Sequence, residues 1–322
     1  MAINLSDDTK VLEHDFISRV TPLLHKNNDI DKSFYDKYDV KIGLRNKNGT
    51  GVRVGLTHIA DVRGYDIDEN KKKIAVPGRL FYRGIDVEDL VNAAMKENRF
   101  GYEETSYLLL FGELPDKKQL ADYTKLLGCM RELPPTFTRD MIMANPSPSI
   151  MNQIARSILS MYSYDEKAED NSLENVLRQS IHLISCFSTI AAYSYQAKRS
   201  HFQNQSLHLH YPLPELSTAE NILRLIRPMG EYTDIEARLL DIAMILHAEH
   251  GGGNNSTFTT HLVSSAGTDT YSAISAAVGS LKGSKHGGAN LAVIYMMKDL
   301  KENVSDITDF KQVEKYLRRV IK

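Results

Sequence analysis

Two cysteines in 322 residues, Cys129 and Cys186, are too few and too far apart to make a disulfide framework. Both fall in helix-like contexts and predict reduced core thiols of a cytoplasmic protein. An excess of one charge is missing as well: 39 basic against 41 acidic side chains leave a formal net charge of -2, without the basic surplus that nucleic-acid binding draws on. No uncharged run suits a bilayer. The longest, 179–197, has spanning length but carries Ser180, His182, Ser185, Ser188, Ser194 and Gln196, each needing a partner in hydrocarbon, so it predicts a buried helix of a soluble protein. The opening MAINLSDDTKVLEHDF shows no basic start followed by an apolar stretch, and no leader is read there. Internal repeats and heptads are absent, which excludes solenoids and coiled coils.

What is present is enough chain for about two domains at roughly 150 residues each. Residues 1–42 read as a charged extension. From Gly43 the texture changes: Gly49, Gly51 and Gly55 bracket the alternating Val52, Val54 and Leu56, and a second extended run, Ile74–Tyr82, contains Pro77-Gly78 as a turn. Together with the basic turn Lys71–Lys73 this predicts a small β element. The glycine spacing at Gly49 opens no helix, so it is not a dinucleotide fingerprint. After Gly84 helix signals dominate and the fold class is mainly α. Asp116 with Gln119, Ser217 with Glu220, and Thr233 with Glu236 have capping-box spacing. In the last of these helices Ile235, Leu239, Ile242, Ala243 and Leu246 share one face, which predicts inward packing and a run to His250, ended by Gly251, Gly252 and Gly253. Leu173–Lys198 is a long buried helix. Ala197–Leu216 reads as a polar surface loop, and its His208 and His210 are not taken as a metal site.

The segment from Leu246 to Leu300 holds four of the eleven histidines. His247 and His250 lie three apart at a helix end, but a zinc site needs further ligands that the spacing does not supply, so no metal is assigned. The helix Asp269–Lys282 is rich in Ala, Ser and Gly, which suits close packing within one core or across a subunit interface. His286 follows Gly283 and precedes Gly287-Gly288 and a new helix. A histidine there faces the positive end of a helix macrodipole, which disfavours imidazolium and suits a ring that donates to a developing enolate.

HAEHGGGNNSTF followed by SLKGSKHGGAN resembles the central signature of the citrate synthase family. GLRNKNGTGVRVGLT, GRLFYRGIDVEDL, YLLLFGELP and STAENILRLIR resemble further stretches of bacterial members, so the likeness covers about residues 43–300. The resemblance implies a large helical domain over 43–285 with a small N-terminal β element, the start of a smaller helical domain over 286–322, and a homodimer. It implies that His250 hydrogen-bonds oxaloacetate and that His286 stabilises the enol of acetyl-CoA. His247, Asn254 and Asn255 are further candidates for substrate contact or loop order. No metal or organic cofactor is implied, the CoA thioester being a substrate. Ser284 stands where the family usually has proline.

Family members continue past the HGGAN helix to a second histidine, a general-base aspartate and carboxylate-binding arginines. None of these is carried onto Asp306, Asp309 or Glu314, and the amphipathic run is still periodic at Ile321. The expectation is therefore a C-terminally truncated chain that is catalytically silent by itself. The reaction implied is condensation of acetyl-CoA with oxaloacetate to citrate and CoA. Alternatives are 2-methylcitrate synthesis from propionyl-CoA, and a non-catalytic dimeric scaffold of the same fold.

Overall fold

The computed structural model describes residues 57–69 and 73–320 without a break, with 33–38 and the isolated positions 11, 18, 21, 31 and 52 before them. The chain divides into two compact units, 1–55 and 56–322. In the first, the described helix is α1 (Ser33–Lys37), where Asp31 Oδ1 accepts the Ser33 N–H at 2.8 Å. Apart from Val52, the expected strand around Gly49–Leu56 lies outside the described residues, as do Lys71 and Lys72 of the basic turn.

The second unit opens with an antiparallel sheet in the order β1 (Ala60–Ile67), β2 (Lys73–Tyr82), β3 (Ile85–Asp86). The register runs from Ala60 opposite Tyr82 to Arg63 opposite Arg79 and resumes with Tyr65 opposite Ala75, so Gly64 faces three residues of β2. Pro77-Gly78 therefore sits in a bulge inside one continuous strand, not in the turn expected from the dipeptide. A bulge tolerates proline because no ladder N–H is needed there. The real turn is Arg83-Gly84, with φ of 51° and 85° between the paired Tyr82 and Ile85, the positive-φ geometry of a two-residue hairpin.

Helices follow: α2 (Val87–Lys96), α3 (Tyr102–Phe111), α4 (Lys117–Cys129), α5 (Ile150–Met161), α6 (Leu173–Gln203), α7 (Thr218–Ile226), α8 (Asp234–His247), α9 (Asn255–Ser264), α10 (Thr270–Leu281), α11 (Gly288–Asn303) and α12 (Phe310–Val320). All three expected capping boxes form, at the starts of α4, α7 and α8. The largest core cluster joins α5, α6 and α10 through Ile154, Ile158, Cys186, Ile190, Tyr271 and Val278. A second, of Tyr82, Val87, Leu90, Leu108 and Ile245, ties the hairpin to α2, α3 and α8. A third, Leu300, Val304 and Tyr316, belongs to α11 and α12 alone.

The long helix α6 uses its polar residues as cross-links. Thr189 Oγ1 donates to Arg131 O at 3.0 Å, Gln196 Nε2 donates to Leu225 O and Ile226 O at 3.1 Å each, and Ser185 donates to Leu127 O. Buried hydroxyls and amides need such partners. Among the described residues no helix is long and apolar enough to cross a membrane. The helix continues to Gln203, so the polar loop expected from Ala197 begins only at Asn204, whose φ of 53° supplies the left-handed stop.

Two further expectations are corrected. The stripe on α8 faces outward, with Ile235 76% and Leu239 68% exposed, while Ala237, Asp241 and Ile245 are the buried positions. Asp241, only 2% exposed, faces inward because its carboxylate accepts the Gly101 and Tyr102 N–H groups at 2.8 and 3.1 Å, capping α3, whose N-terminus has no cap of its own. Cys129 is exposed at the end of α4, whereas Cys186 is a core thiol that burial pushes up to about 12. A buried polar link also joins α3 to α7: Glu103 accepts the Thr218 N–H and Oγ1–H at 2.8 Å each, 3.9 Å from Arg131, itself 1% exposed.

Candidate active site

Helix α8 ends at His247, so His250 stands on the following turn and not on the helix as expected. Two groups hold that turn. The Tyr82 hydroxyl, from β2, donates to Ile245 O at 2.8 Å and Glu249 O at 3.1 Å and accepts the Glu249 N–H at 3.3 Å. Glu249 in turn accepts the His250 and Gly251 N–H groups on its Oε1 at 3.0 and 2.7 Å. Gly251 has φ of 94°, and a Cβ there would stand 3.4 Å from Val62 Cγ2 of β1.

Asn254 joins the two histidine motifs. As the N-cap of α9 its Oδ1 accepts the Ser256 and Thr257 N–H groups at 2.6 and 3.4 Å, which fixes the oxygen end of the amide toward the helix. Its Nδ2 then points at His250 Nε2, 2.8 Å away. An amide nitrogen only donates, so His250 accepts on Nε2 and carries its proton on Nδ1.

His286 lies just before α11 and reaches the same amide. Its Nε2 is 3.2 Å from Asn254 Oδ1 and 3.2 Å from Ser256 Oγ. The first oxygen only accepts; the second does either. With the proton on Nε2 the ring donates to Asn254, and with it on Nδ1 the Ser256 hydroxyl donates to Nε2 and frees Nδ1–H for another acceptor. The turn delivering this ring is tight: His286 N–H donates to Gly283 O at 3.0 Å, and Gly287 N–H to Leu281 O at 2.9 Å. A Cβ on Gly287 would fall 2.3 Å from Leu281 O, so only glycine fits.

Of the residues singled out in the sequence, His250, Asn254 and His286 are therefore one hydrogen-bonded chain. His247 is not part of it: its Nδ1 donates to Ala243 O at 2.7 Å on its own helix. Asn255 is exposed on the first turn of α9, its carbonyl accepting from Thr259 at 2.8 Å. Ser256 and Tyr82 were missed. Ser256 is legible once Asn254 is recognised as an N-cap, because the second residue of the new helix is then aimed back at the cap; Tyr82 carries no local signal. A cavity of about 320 Å³ opens elsewhere, between α3, α6, α7, α8 and α10, with Leu183, Ile184, Phe187 and Ile222 on its walls. It contains none of these histidines, and its apolar lining offers few groups for proton transfer.

Residues 48–322 match the sequence profile described as citrate synthase, C-terminal domain. The citrate synthase of Haloferax volcanii is 33% identical over 237 residues, 72% of this chain and 59% of the relative. The 2-methylcitrate synthase of Shewanella oneidensis is 30% identical over 245 residues, 76% of this chain and 61% of the relative. The crystal structure of citrate synthase from Pyrobaculum aerophilum superposes with a TM-score of 0.64 at 29% identity, covering 79% of this chain and 60% of that one. The chain thus spans about three-fifths of the length of these relatives.

Proposed function

The chain belongs to the citrate synthase family, and from that premise we propose that His250, Asn254, Ser256 and His286 form part of an active site that condenses acetyl-CoA with oxaloacetate to citrate and CoA. The observation that carries the reading is the shared amide of Asn254, which brings two histidines from motifs 36 residues apart in number (286 − 250) into one hydrogen-bonded set.

The two rings have different work. His250, accepting on Nε2, presents Nδ1–H as a donor for an oxygen of oxaloacetate. His286 in its Nδ1–H form, supported by the Ser256 hydroxyl, donates to the oxygen of the acetyl thioester while a separate general base, supplied by none of these four residues, takes the methyl proton. A donor aimed at an oxygen that gains charge only during reaction lowers the barrier without tightening the ground state. No metal or further cofactor has a part in this scheme. The division at 285 follows the same reading, residues 43–285 forming the large domain and 286–322 belonging to the smaller one. The exposed Leu291, Ile294 and Tyr295 on α11 support a homodimer in which a second copy covers them, and two free cysteines support a cytoplasmic location.

The relative named 2-methylcitrate synthase favours a second reading, with propionyl-CoA as the thioester. Both share oxaloacetate, so calorimetric titration with oxaloacetate tests them together. His250→Ala should weaken binding by about 1 to 3 kcal/mol through loss of one hydrogen bond to a charged substrate. Equal affinity in both proteins would remove His250 from the site.

A further inference from the structure

We infer that Tyr82 is the positioning residue for His250, holding the turn that presents its ring to Asn254. The ring of Tyr82 is 0% exposed and fills the cluster of Val87, Leu90, Leu108 and Ile245, so its hydroxyl leaves the strand at a fixed place. That single oxygen serves three backbone groups: the Ile245 and Glu249 carbonyls, to which its proton is shared, and the Glu249 N–H, which it accepts. Helix α8 has run out at this point, and a helix end leaves carbonyls and the next amides without partners. The phenol takes the place that a further helical turn would have filled.

From there the chain of positioning is short. Tyr82 fixes the Glu249 backbone; the Glu249 carboxylate then reaches the His250 and Gly251 amides; and the His250 ring is left 2.8 Å from Asn254 Nδ2. His286 receives none of this support. Its partners, Asn254 Oδ1 and Ser256 Oγ, are held by the first turn of α9, and its own backbone by Gly283 and Leu281. Burial pushes the Tyr82 phenol up, and the backbone bonds from Glu249 and Ala248 only partly oppose it, so the hydroxyl holds its proton more firmly than a free phenol does.

The test is Tyr82→Phe in the 322-residue chain, with ¹⁵N-labelled histidine. In the unsubstituted chain His250 should show the Nδ1–H tautomer. The variant should shift His250 toward a mixture of tautomers while the His286 resonances stay in place. Leu80→Ala, which loosens the same packing without touching the hydroxyl, should leave His250 unchanged. An unshifted His250 in Tyr82→Phe, or equal changes in both histidines, would overturn the assignment, as would a shift in Leu80→Ala. Hydrogen exchange in the unsubstituted chain gives a route that needs no variant: the Glu249 amide should exchange far more slowly than that of Gly253, and equal rates would contradict its bond to the phenol. Oxaloacetate affinity should fall several-fold in Tyr82→Phe, an expectation that rests on the proposed function. Failure of the unsubstituted chain to bind oxaloacetate would count against that function, and the tautomer and exchange measurements would still decide the role of Tyr82.

Discussion

Asp241 gives the sharpest quantitative test of the fold that carries the site. Burial pushes its carboxyl up to about 6 from an ordinary 3.8, against the Gly101 and Tyr102 amide bonds that pull it down, with the nearby Glu103 adding to the rise. The folded protein therefore holds this proton more tightly than the unfolded chain does. The stability contributed by the protonated group is fully present below about 3.8 and is lost as pH rises through about 6. At 1.36 kcal/mol per pH unit the difference corresponds to about 3 kcal/mol, conversion being justified because the side chain is 2% exposed. Asp241→Asn removes the titration and loses one of the two cap bonds, since its amide carries a single acceptor oxygen. Urea unfolding of both proteins between pH 4 and 7 isolates the term, because every other carboxylate cancels in the difference. The original should lose about 2.4 kcal/mol relative to the variant across that interval, the rest of the difference lying below pH 4. Parallel stability profiles would show that the α3 cap is not a desolvated carboxyl and would refute the reasoning.

Ser256→Ala leaves His286 Nε2 with Asn254 Oδ1 as its remaining partner among the described residues, and should hold the proton on Nε2; ¹⁵N spectra showing the same tautomers with and without the hydroxyl would remove Ser256 from that role. Gly287→Ala should cost roughly 1 to 3 kcal/mol, its Cβ meeting backbone oxygen at 2.3 Å, whereas Gly279→Ala, with nothing within 4 Å, should stabilise by about 0.5 to 1 kcal/mol. Thermal melts of the pair that move in the same direction would contradict the packing at the His286 turn. Light scattering should find a dimer that Ile294→Lys dissociates, and a strictly monomeric unsubstituted chain would sink the α11 interface.

Local signals were legible where local chemistry decides the outcome. The three capping boxes formed because each pairs a side chain with an amide three residues away, and the Asp269 start of α10 is of the same kind. The α8 stripe misled because Ile235, Leu239 and Leu246 make the more hydrophobic face, yet the helix turns Asp241 inward to satisfy the amides at the start of α3, a demand set by a residue 140 positions away. Pro77-Gly78 carried a turn signal that strand register overrode. At the site, His250 and His286 came from motif resemblance and Asn254 from its neighbourhood. That one amide connects the two rings required the distances, as did the part played by Tyr82.

The polar ties of this molecule are distant in time as well as in sequence. Tyr82 and Ile245 are 163 residues apart, Gly101 and Asp241 140, and Thr218 and Glu103 115. At a synthesis rate of about 5 to 20 residues per second, Tyr82 leaves the ribosome roughly 8 to 30 s before the carbonyl it will bond. Over that interval the apolar base of the hairpin has no α8 to rest on, and closing so long a loop raises the entropic barrier to docking. The turn bearing His250 consequently cannot be tied to the hairpin until α8 has been made, and the nascent hairpin is a surface that a chaperone has seconds to recognise.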